Sequence, residues 1–366
     1  MKTPGKNGGA PKIDIHYVAA HARVSIATVS RTLNHVPTVD PLLSQRVWKS
    51  VAELNYLPNT QARALVSGKS KLLGLIVSEI TNPFFPELIQ EFERVAVERG
   101  YEILIASTSH DPAKMETCVR RMLERKVDGV AVMTFGFEEM VLDRFAADNV
   151  PCIFIDIPSK QPRSSVLAVD YRQGIYEGVQ HLAVLGHRRI GFISGPLKLR
   201  SSQARKTAFL DCMRSVGLTT DSTWAIEGDH TLEGGRDAMQ TILALKNWPT
   251  AIMCSNDMTA IGVQHALFEA RLKVPEDFSL IGFDNIHLAE YTIPPLTTVR
   301  MSCADLAQKA VRSLLSHLQA DNAKAETEAI IETHLVVRQT TGLPRNSLDH
   351  LGPSPARKKR ALPSLL

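Results

Sequence analysis

Cysteine is scarce in this sequence, and the segments typical of exported or membrane proteins are missing. The 366 residues include five cysteines, an odd number, and no two of them form a CxxC pair. A disulfide framework and a zinc site of paired cysteines are therefore excluded, and reduced, buried thiols are expected. The start, MKTPGKNGGAPKID, has no apolar stretch of a secretory signal, and no run of about 18 apolar residues offers a membrane span. We expect a cytoplasmic protein without a metal site.

Motifs of common enzyme classes are also missing. The sequence contains no GxGxxG, no HExxH and no GxSxG motif. The segment GKS at residues 68–70 lacks the upstream glycine of a phosphate-binding loop, because Arg63 stands at that position. His181 and His187 are six residues apart, and we interpret them as surface or cap residues. These absences argue against a dehydrogenase, a kinase or another enzyme, and no cofactor is expected.

Charge is distributed unevenly along the chain. Residues 1–71 hold ten Lys or Arg against three Asp or Glu, a net charge of +7, although the whole chain carries only +4. The remaining 295 residues are therefore mildly acidic, at −3. A cationic segment on an acidic body indicates a polyanionic partner such as nucleic acid. On charge alone, a solvated basic surface without a partner is the alternative.

Three short helices are predicted near the amino end. Apolar residues recur at helical spacing from Ile15, and Asp14 is a suitable N-cap. A second helix is predicted over Ile26–Asn34. A third is predicted from Pro41 to about Asn55, with Asp40 as its cap and proline at the first helical position, where a missing N–H costs nothing.

From Lys71 onwards, apolar runs of strand length alternate with helical segments. Roughly ten such runs follow one another, from LLGLIVS at residues 72–78 to FSLIGFD at residues 278–284. Continuous apolar strands indicate parallel sheets covered on both faces, and their alternation with helices is typical of doubly wound α/β folds. Because so many strands exceed one sheet, we predict two similar subdomains, with crossovers near Asp170 and Arg300 and a ligand-binding cleft between them.

The segment VAAHARVSIATVSR at residues 18–31 is predicted to form a helix, a tight turn and a second helix. In a helix-turn-helix unit, the first residues of the second helix meet base edges in the major groove. Arg31 can donate two hydrogen bonds to guanine, whereas Ile26 and Ala27 offer methyl contacts that favour thymine. Side chains suited to phosphate contacts are found at Ser25, Thr28, Ser30, Asn34 and Asn59. A three-helix bundle without a DNA role is the alternative.

Two segments, VSIATVSRTLN and LNYLPNTQARALVSGKS, resemble the lactose repressor (LacI/GalR) family of bacterial regulators. The resemblance continues through SEITNPFF at residues 78–85 and IGFDN at residues 281–285, and it covers about residues 13–341. It implies an N-terminal all-α helix-turn-helix headpiece with a hinge helix. This headpiece would be joined to an α/β two-subdomain effector domain like a periplasmic binding protein. Tyr17 departs from the family, which has an acidic residue there, so any contact of that acid is absent.

The resemblance also implies a hinge helix that orders on operator DNA. Leu65 would be wedged into the central base step of the minor groove, supported by Ala62 and Arg63. A linker residue that only touches the body is the alternative for Leu65. The predicted domains are a disordered basic arm (1–12), the helix-turn-helix domain (13–58), the hinge helix and linker (59–70), a two-lobed ligand-binding and dimerisation domain (71–341, with lobes of about 71–170 plus 301–330 and 171–300 plus 331–341) and a flexible basic tail (342–366).

Candidate effector contacts lie at strand ends and in loops. Hydroxylated ligands are usually held by a carboxylate and an arginine, with an aromatic face against the ring. Matched to the family, the candidates are Phe84, Phe85, Asp156, Ser201, Arg205, His230, Asn256 and Asp284. Arg205 and Asp284 fit the carboxylate–arginine pattern, and His230 stands where some relatives have tryptophan or phenylalanine. Structural roles are the alternative, with Asn256 and Asp284 as helix caps and Phe84 in the core.

These patterns together predict a sequence-specific DNA-binding transcriptional regulator. It would be a repressor that binds palindromic operators as a homodimer and is modulated by a small metabolite, a sugar or sugar derivative, in the cleft. Ligand and DNA would then share one coupling energy through a change in the angle between the subdomains. No leucine heptad closes the chain, which favours a dimer over a tetramer. The alternative is a sugar-binding receptor protein without DNA function.

Overall fold

A computed structural model gives the fold of the chain. It describes residues 13–34, 36–57, 68–134, 138–156, 163–219, 221–319 and 328–345. The chain divides into two compact units, Met1–Ser70 and Lys71–Leu366. Several predictions lie outside the described residues, namely the arm at 1–12, the tail beyond 345 and the hinge contacts Asn59, Ala62, Arg63 and Leu65.

The described part of the first unit holds the helices α1 (Ile15–Ala22), α2 (Ile26–Leu33) and α3 (Pro41–Glu53). Their N-caps are Asp14, Ser25 and Asp40, and each side chain accepts a backbone N–H of the first helical turn. Val18, Val29 and Val47 are fully buried where the three helices meet. The third helix ends before the predicted Asn55, because that residue adopts the left-handed backbone, with φ at 50°.

Two six-stranded sheets form the second unit. The first sheet contains, in spatial order, β11 (Glu328–Ile331), β5 (Ser164–Val169), β4 (Cys152–Ile155), β3 (Gly129–Met133), β1 (Leu72–Val77) and β2 (Glu102–Ser107). The second contains β12 (Thr333–Val336), β10 (Thr297–Met301), β9 (Ser279–Asp284), β8 (Ala251–Cys254), β6 (Ile190–Ser194) and β7 (Ala225–Glu227). Neighbouring strands are parallel, except that β12 is antiparallel to β10.

Helices alternate with these strands along the chain, as the apolar pattern predicts. They are α4 (Phe84–Glu98), α5 (Pro112–Glu124), α6 (Glu138–Ala147), α7 (Tyr171–Val184), α8 (Arg200–Ser215), α9 (Leu232–Leu243), α10 (Asp257–Glu269) and α11 (Cys303–Gln319). We call the first sheet with α4, α5, α6 and α11 the first lobe, and the second sheet with α7 to α10 the second lobe. Two fold features, the helical headpiece and the paired α/β lobes, are thus confirmed.

The chain passes between the lobes after β5, after β10 and between β11 and β12. The crossing segments are hydrogen-bonded to one another. The backbone N–H of Asp170 donates to the carbonyl of Ile331 at 2.9 Å, and the hydroxyl of Thr333 donates to the carbonyl of Asp170 at 2.6 Å. Because these segments are the only covalent links between the lobes in the described residues, they are where a change in the interlobe angle would occur.

The core follows the apolar runs of the sequence, except at the edges of the sheets. Strands β1, β3, β4, β8 and β9 are almost entirely buried, whereas β2 is half-exposed because it has a neighbour on one side only. All five cysteines are free, and four are buried, as expected for reduced structural thiols. Over the described ranges, no helix is long and apolar enough to span a membrane, and no group of three or more His, Cys, Asp or Glu is placed to hold a metal ion.

His187 corrects the sequence-based interpretation. It was expected at the surface or as a cap, but it is only 1% exposed. Its Nδ1 lies 2.8 Å from the hydroxyl of Thr250, and its Nε2 lies 3.0 Å from both the hydroxyl of Ser279 and the carbonyl of Gly342. His187 therefore joins three distant segments of the second lobe.

Candidate effector site

A cleft lined by residues of both lobes lies between them. Seven of the eight predicted effector residues line it: Phe84, Phe85, Ser201, Arg205, His230, Asn256 and Asp284. They come together because the carboxyl ends of parallel strands meet at one edge of each sheet, and these two edges face the cleft. Their roles in ligand binding stay predictions, but their placement is that of a ligand site.

A buried ion pair forms the polar wall of the second lobe. Arg205, from α8, has its Nη2 3.6 Å from Oδ1 of Asp284, the last residue of β9, and each side chain is 6% exposed. The guanidinium lies over the ring of Phe283, 4.1 Å from its centroid, and over that of Tyr171 at 5.0 Å. Nη1 also donates to the carbonyl of Ser255, whereas Nε has no partner among the described residues. The arginine is thus fixed in place, yet one donor is left for a ligand.

Burial dominates the electrostatics of Asp284. It raises the pKa of this carboxyl to about 7; Arg205 opposes this rise and the carboxylate of Glu87 adds to it. The aspartate therefore changes charge close to neutral pH. A ligand hydroxyl that donates a hydrogen bond would stabilise its ionised form.

His230 is packed against a glycine. Burial lowers the pKa of His230 to about 3, with Arg205 as the next cause, so the imidazole is neutral. A methyl group on Gly195 would occupy the position of the imidazole ring, so only glycine leaves room for it. His230 lines the cleft, but its buried Nε2 is the ring atom nearest to the position of that methyl group and has no partner among the described residues. The packing against Gly195 therefore fixes the ring in the cleft wall.

The first lobe contributes an apolar surface to the cleft. Phe84 and Phe85 open α4 and meet edge to face, with centroids 5.4 Å apart. Leu88, Met133 and Ile155 extend this surface. An apolar surface beside polar side chains suits a ligand with an apolar face and hydroxyls around its rim, as a sugar ring has.

Two of the candidates have structural roles. Asp156 does not line the cleft. Instead its carboxylate accepts hydrogen bonds from the N–H of Val169 and the hydroxyl of Tyr171. It therefore holds the tyrosine whose ring lies against the guanidinium of Arg205. Asn256 lines the cleft and also caps α10, accepting from Thr259 N–H at 2.9 Å and donating to the carbonyl of His230 at 3.0 Å. The cap role of Asn256 is thus observed, and its role in ligand binding stays a prediction.

Sequence reasoning missed Glu79, Asn82 and His110, which also line the cleft. Glu79 and Asn82 belong to the segment SEITNPFF, so their position directly after β1 was a usable signal. His110 had no such signal, because it reaches the cleft from the loop between β2 and α5.

The predicted base-reading residues lie on the exposed face of α2. Ile26, Ala27 and Arg31 are exposed, while Val29 and Leu33 of the same helix are buried. The helix therefore presents the predicted side chains outward.

Arg46 is a headpiece residue that sequence reasoning did not single out. Its Nη2 donates to the carbonyls of Ala22 at 2.6 Å and Arg23 at 3.0 Å. It therefore closes the end of α1 and fixes the turn before α2.

A capped helix-turn-helix module and a two-lobed receptor with a polar cleft define a class of ligand-responsive regulator. Residues 14–59 match the family model of bacterial regulatory proteins, lacI family, and residues 179–341 match that of the periplasmic binding protein-like domain. The chain belongs to the lacI family of bacterial regulatory proteins and is a transcriptional regulator.

Individual relatives support this assignment along most of the chain. The HTH-type transcriptional repressor PurR of Actinobacillus pleuropneumoniae serotype 3 (strain JL03) is 34% identical over 324 residues, which is 88% of this chain and 96% of the relative. PurR of Pasteurella multocida (strain Pm70) is 33% identical over 326 residues, or 88% and 97%. The fold is similar to the crystal structure of the lac repressor dimer bound to operator and the anti-inducer ONPF, with a TM-score of 0.79, 28% identity and coverage of 90% and 99%. A transcriptional regulator CelR–cellobiose complex is similar with a TM-score of 0.67, 25% identity and coverage of 90% and 100%.

Proposed function

We propose that this chain is a cytoplasmic repressor that binds an inverted-repeat operator as a homodimer and responds to a small sugar or sugar derivative in the cleft. The observation that carries the proposal is the buried Arg205–Asp284 pair, placed in a cleft between two lobes of a chain that also has a helix-turn-helix module. The proposed activity is reversible binding, without catalysis.

For DNA, we propose that Arg31 reads a guanine and that Ile26 and Ala27 contact thymine methyl groups. Ser25, Thr28, Ser30, Asn34 and Asn59 would fix the register on phosphates, and Ala62, Arg63 and Leu65 would enter the minor groove. The exposed face of α2 and its Ser25 cap support this arrangement.

Selection from random duplex DNA at a stated salt concentration tests the DNA part. We expect an inverted repeat to be enriched. Replacement of Arg31 by alanine should then lower the preference for guanine over other bases by about 10- to 100-fold at one position in each half-site. Arg120→Ala, which removes an exposed arginine of α5, is the control and should leave the selected sequence unchanged. A protein that binds sugars but enriches no sequence would be a receptor without DNA function.

For the ligand, we propose a sugar or sugar derivative. Its apolar face would lie on Phe84 and Phe85, and its hydroxyls would meet Arg205, His230 and Asp284. The cellobiose bound by the similar regulator CelR supports a carbohydrate. Thermal shift of the purified protein with a panel of pentoses, hexoses and nucleobases tests the class. If only a nucleobase raises the melting temperature, the effector is a nucleobase and the sugar proposal is wrong.

For assembly, we propose a homodimer that buries a cluster of exposed apolar side chains. Phe268, Leu288, Tyr291 and Ile293 are 78%, 45%, 67% and 92% exposed. They share one region, because Gln264, one turn before Phe268, donates to the carbonyl of Ile293 at 2.6 Å. The lac repressor dimer, to which the fold is similar, supports a second copy of the chain as the partner.

Light scattering after gel filtration tests the dimer. Ile293→Lys should shift the protein to a monomer, because a buried lysine without a partner is costly. Val184→Lys, at a side chain 80% exposed on α7, is the matched control and should leave the mass unchanged. A wild-type monomer or tetramer would contradict the proposal.

A further inference from the structure

A charged pair stands at the cleft on the first lobe. Glu79 follows β1, and its Oε1 lies 3.7 Å from Nε2 of His110. Its Oε2 accepts a hydrogen bond from the hydroxyl of Thr81 at 2.7 Å. Both Glu79 and His110 line the cleft.

The loop that carries His110 is held in an unusual conformation. Ser109 and His110 both have left-handed backbones, with φ at 49° and 57°. The N–H of His110 donates to the hydroxyl of Thr108 at 3.3 Å, and that hydroxyl donates to the carbonyl of Ser78, next to Glu79, at 3.3 Å. Left-handed backbone in residues other than glycine is uncommon and persists where surroundings fix it. The loop therefore fixes the imidazole beside the carboxylate.

The charge of Glu79 is well defined. The neighbouring His110 is the largest cause that lowers the pKa of Glu79, against the opposing effect of burial. The carboxylate is therefore ionised at neutral pH. Glu79 lines the cleft from the first lobe, and His230 lines it from the second.

Carboxylates thus line the cleft from both lobes. Asp284 lies beside Arg205, which also donates to the carbonyl of Ser255. Glu79 has the partly exposed His110 as its ion-pair partner among the described residues. A ligand group near Glu79 is stabilised if it donates a hydrogen bond, and it is repelled if it carries a negative charge.

We propose that Glu79, positioned by His110, is a specificity residue. It selects a polyhydroxylated ligand that places a hydroxyl or ammonium donor beside the Glu79 carboxylate, and it rejects ligands that place a phosphate or carboxylate beside it. The inference rests on the proposed function, since it needs a sugar in the cleft. It adds a recognition element on the first lobe to the Arg205–Asp284 pair of the second.

Isothermal titration calorimetry with matched probes tests the inference. D-glucose, D-glucosamine, D-glucose 6-phosphate and D-gluconate form one series, and D-ribose with D-ribose 5-phosphate forms another. Wild-type protein should bind the neutral or amino member of a series and reject the acidic members. Glu79→Gln keeps the shape of the side chain and an acceptor for Thr81. It should lower the affinity for the preferred sugar by about 10- to 100-fold, and it should lower the ratio of that affinity to the affinity for the sugar phosphate by about tenfold.

A control variant and two substitutions of His110 separate the positioning role of His110 from the charge of Glu79. Glu93→Gln removes an exposed carboxylate of α4 outside the cleft and should leave every affinity unchanged. His110→Gln retains a donor and should keep the preference, whereas His110→Ala should lose most of it. Equal loss in both histidine variants would overturn the positioning role.

The outcomes also distinguish this inference from the proposed function. A sugar that binds wild-type protein with unchanged preference in Glu79→Gln, or an acidic member that binds best, would overturn the inference alone. If no sugar in either series binds while operator selection is intact, the sugar part of the proposed function fails, and the inference fails with it.

Discussion

Arg205 Nη2 lies 3.6 Å from Asp284 Oδ1, with both side chains 6% exposed. This distance is too long for a good hydrogen bond, so the pair is attractive but incompletely satisfied. Arg205 Nε and the nearby His230 Nε2 also lack partners among the described residues. Buried groups left unpaired cost about 1–3 kcal/mol each, and a ligand that hydrogen-bonds with Arg205 or Asp284 would recover part of that free energy.

Replacement of Asp284 by asparagine should stabilise the unliganded protein and weaken ligand binding. The pKa of about 7 already includes the attraction of Arg205. Because this pKa is above that of the unfolded chain, the ionised carboxylate lowers folding stability, whereas the neutral asparagine does not. We expect the melting temperature at pH 8 to rise by about 2–4 °C, and ligand affinity to fall about 10- to 100-fold. Asp237→Asn, an exposed partner of Arg236, is the control. Lower stability of Asp284→Asn would contradict the account.

Ligand affinity should depend on pH through Asp284. Between its ordinary pKa of 3.8 and its folded pKa of about 7, the folded protein holds a proton that the unfolded chain has released. The contribution of Asp284 to folding stability therefore falls as pH rises through this window. A ligand hydroxyl binds the ionised carboxylate, so affinity should rise about tenfold from pH 6 to pH 8. Titration calorimetry should show this slope in wild-type protein and none in Asp284→Asn; equal slopes would exclude Asp284 as the source.

Gly195 and His230 should act as one unit in ligand binding. A methyl group at Gly195 would collide with the imidazole, which would have to leave its position. We expect Gly195→Ala to lower ligand affinity about tenfold or more, because the displaced ring would no longer form its part of the cleft wall. Once His230→Ala is present, the glycine substitution should cost almost nothing further. Additive losses in this double-mutant cycle would show that the two residues act independently.

His187 should be important for stability and not for ligand binding. Replacement by alanine removes the hydrogen bonds of His187 with Thr250, Ser279 and Gly342. The free energy of unfolding in urea should therefore fall by about 2 kcal/mol. Burial lowers the pKa of His187, so the unfolded chain takes up a proton that the folded protein does not, and stability should fall as pH drops below about 6.5. His265→Ala, at an exposed histidine of α10, is the control. Equal unfolding midpoints for the two variants would refute the role of His187.

The helices and strands could be predicted from sequence because their signals are local. Ser25 and Asp40 cap the residues that follow them directly, and the apolar run at 72–78 needs no distant partner to specify a buried strand. The candidate cleft residues at strand ends were predictable for a related reason. Parallel strands bring their carboxyl ends together whatever the intervening loops contain.

The rest depended on contacts between distant segments. His187 is bonded to Gly342, 155 residues away, and nothing around His187 in the sequence indicates that bond. Glu79 meets His110 through a loop whose backbone is left-handed, and Asp156 is satisfied by Tyr171 instead of a ligand. In each case a long-range partner decides the role of a polar side chain.

Reciprocal linkage tests the central claim that cleft and DNA are coupled. The measurement is operator affinity with and without the bound sugar, and sugar affinity with and without operator, in the same buffer. The account predicts that both affinities change by the same factor, about 5- to 150-fold. Affinities that are the same in all four measurements would contradict it, even if the protein bound both the sugar and the operator.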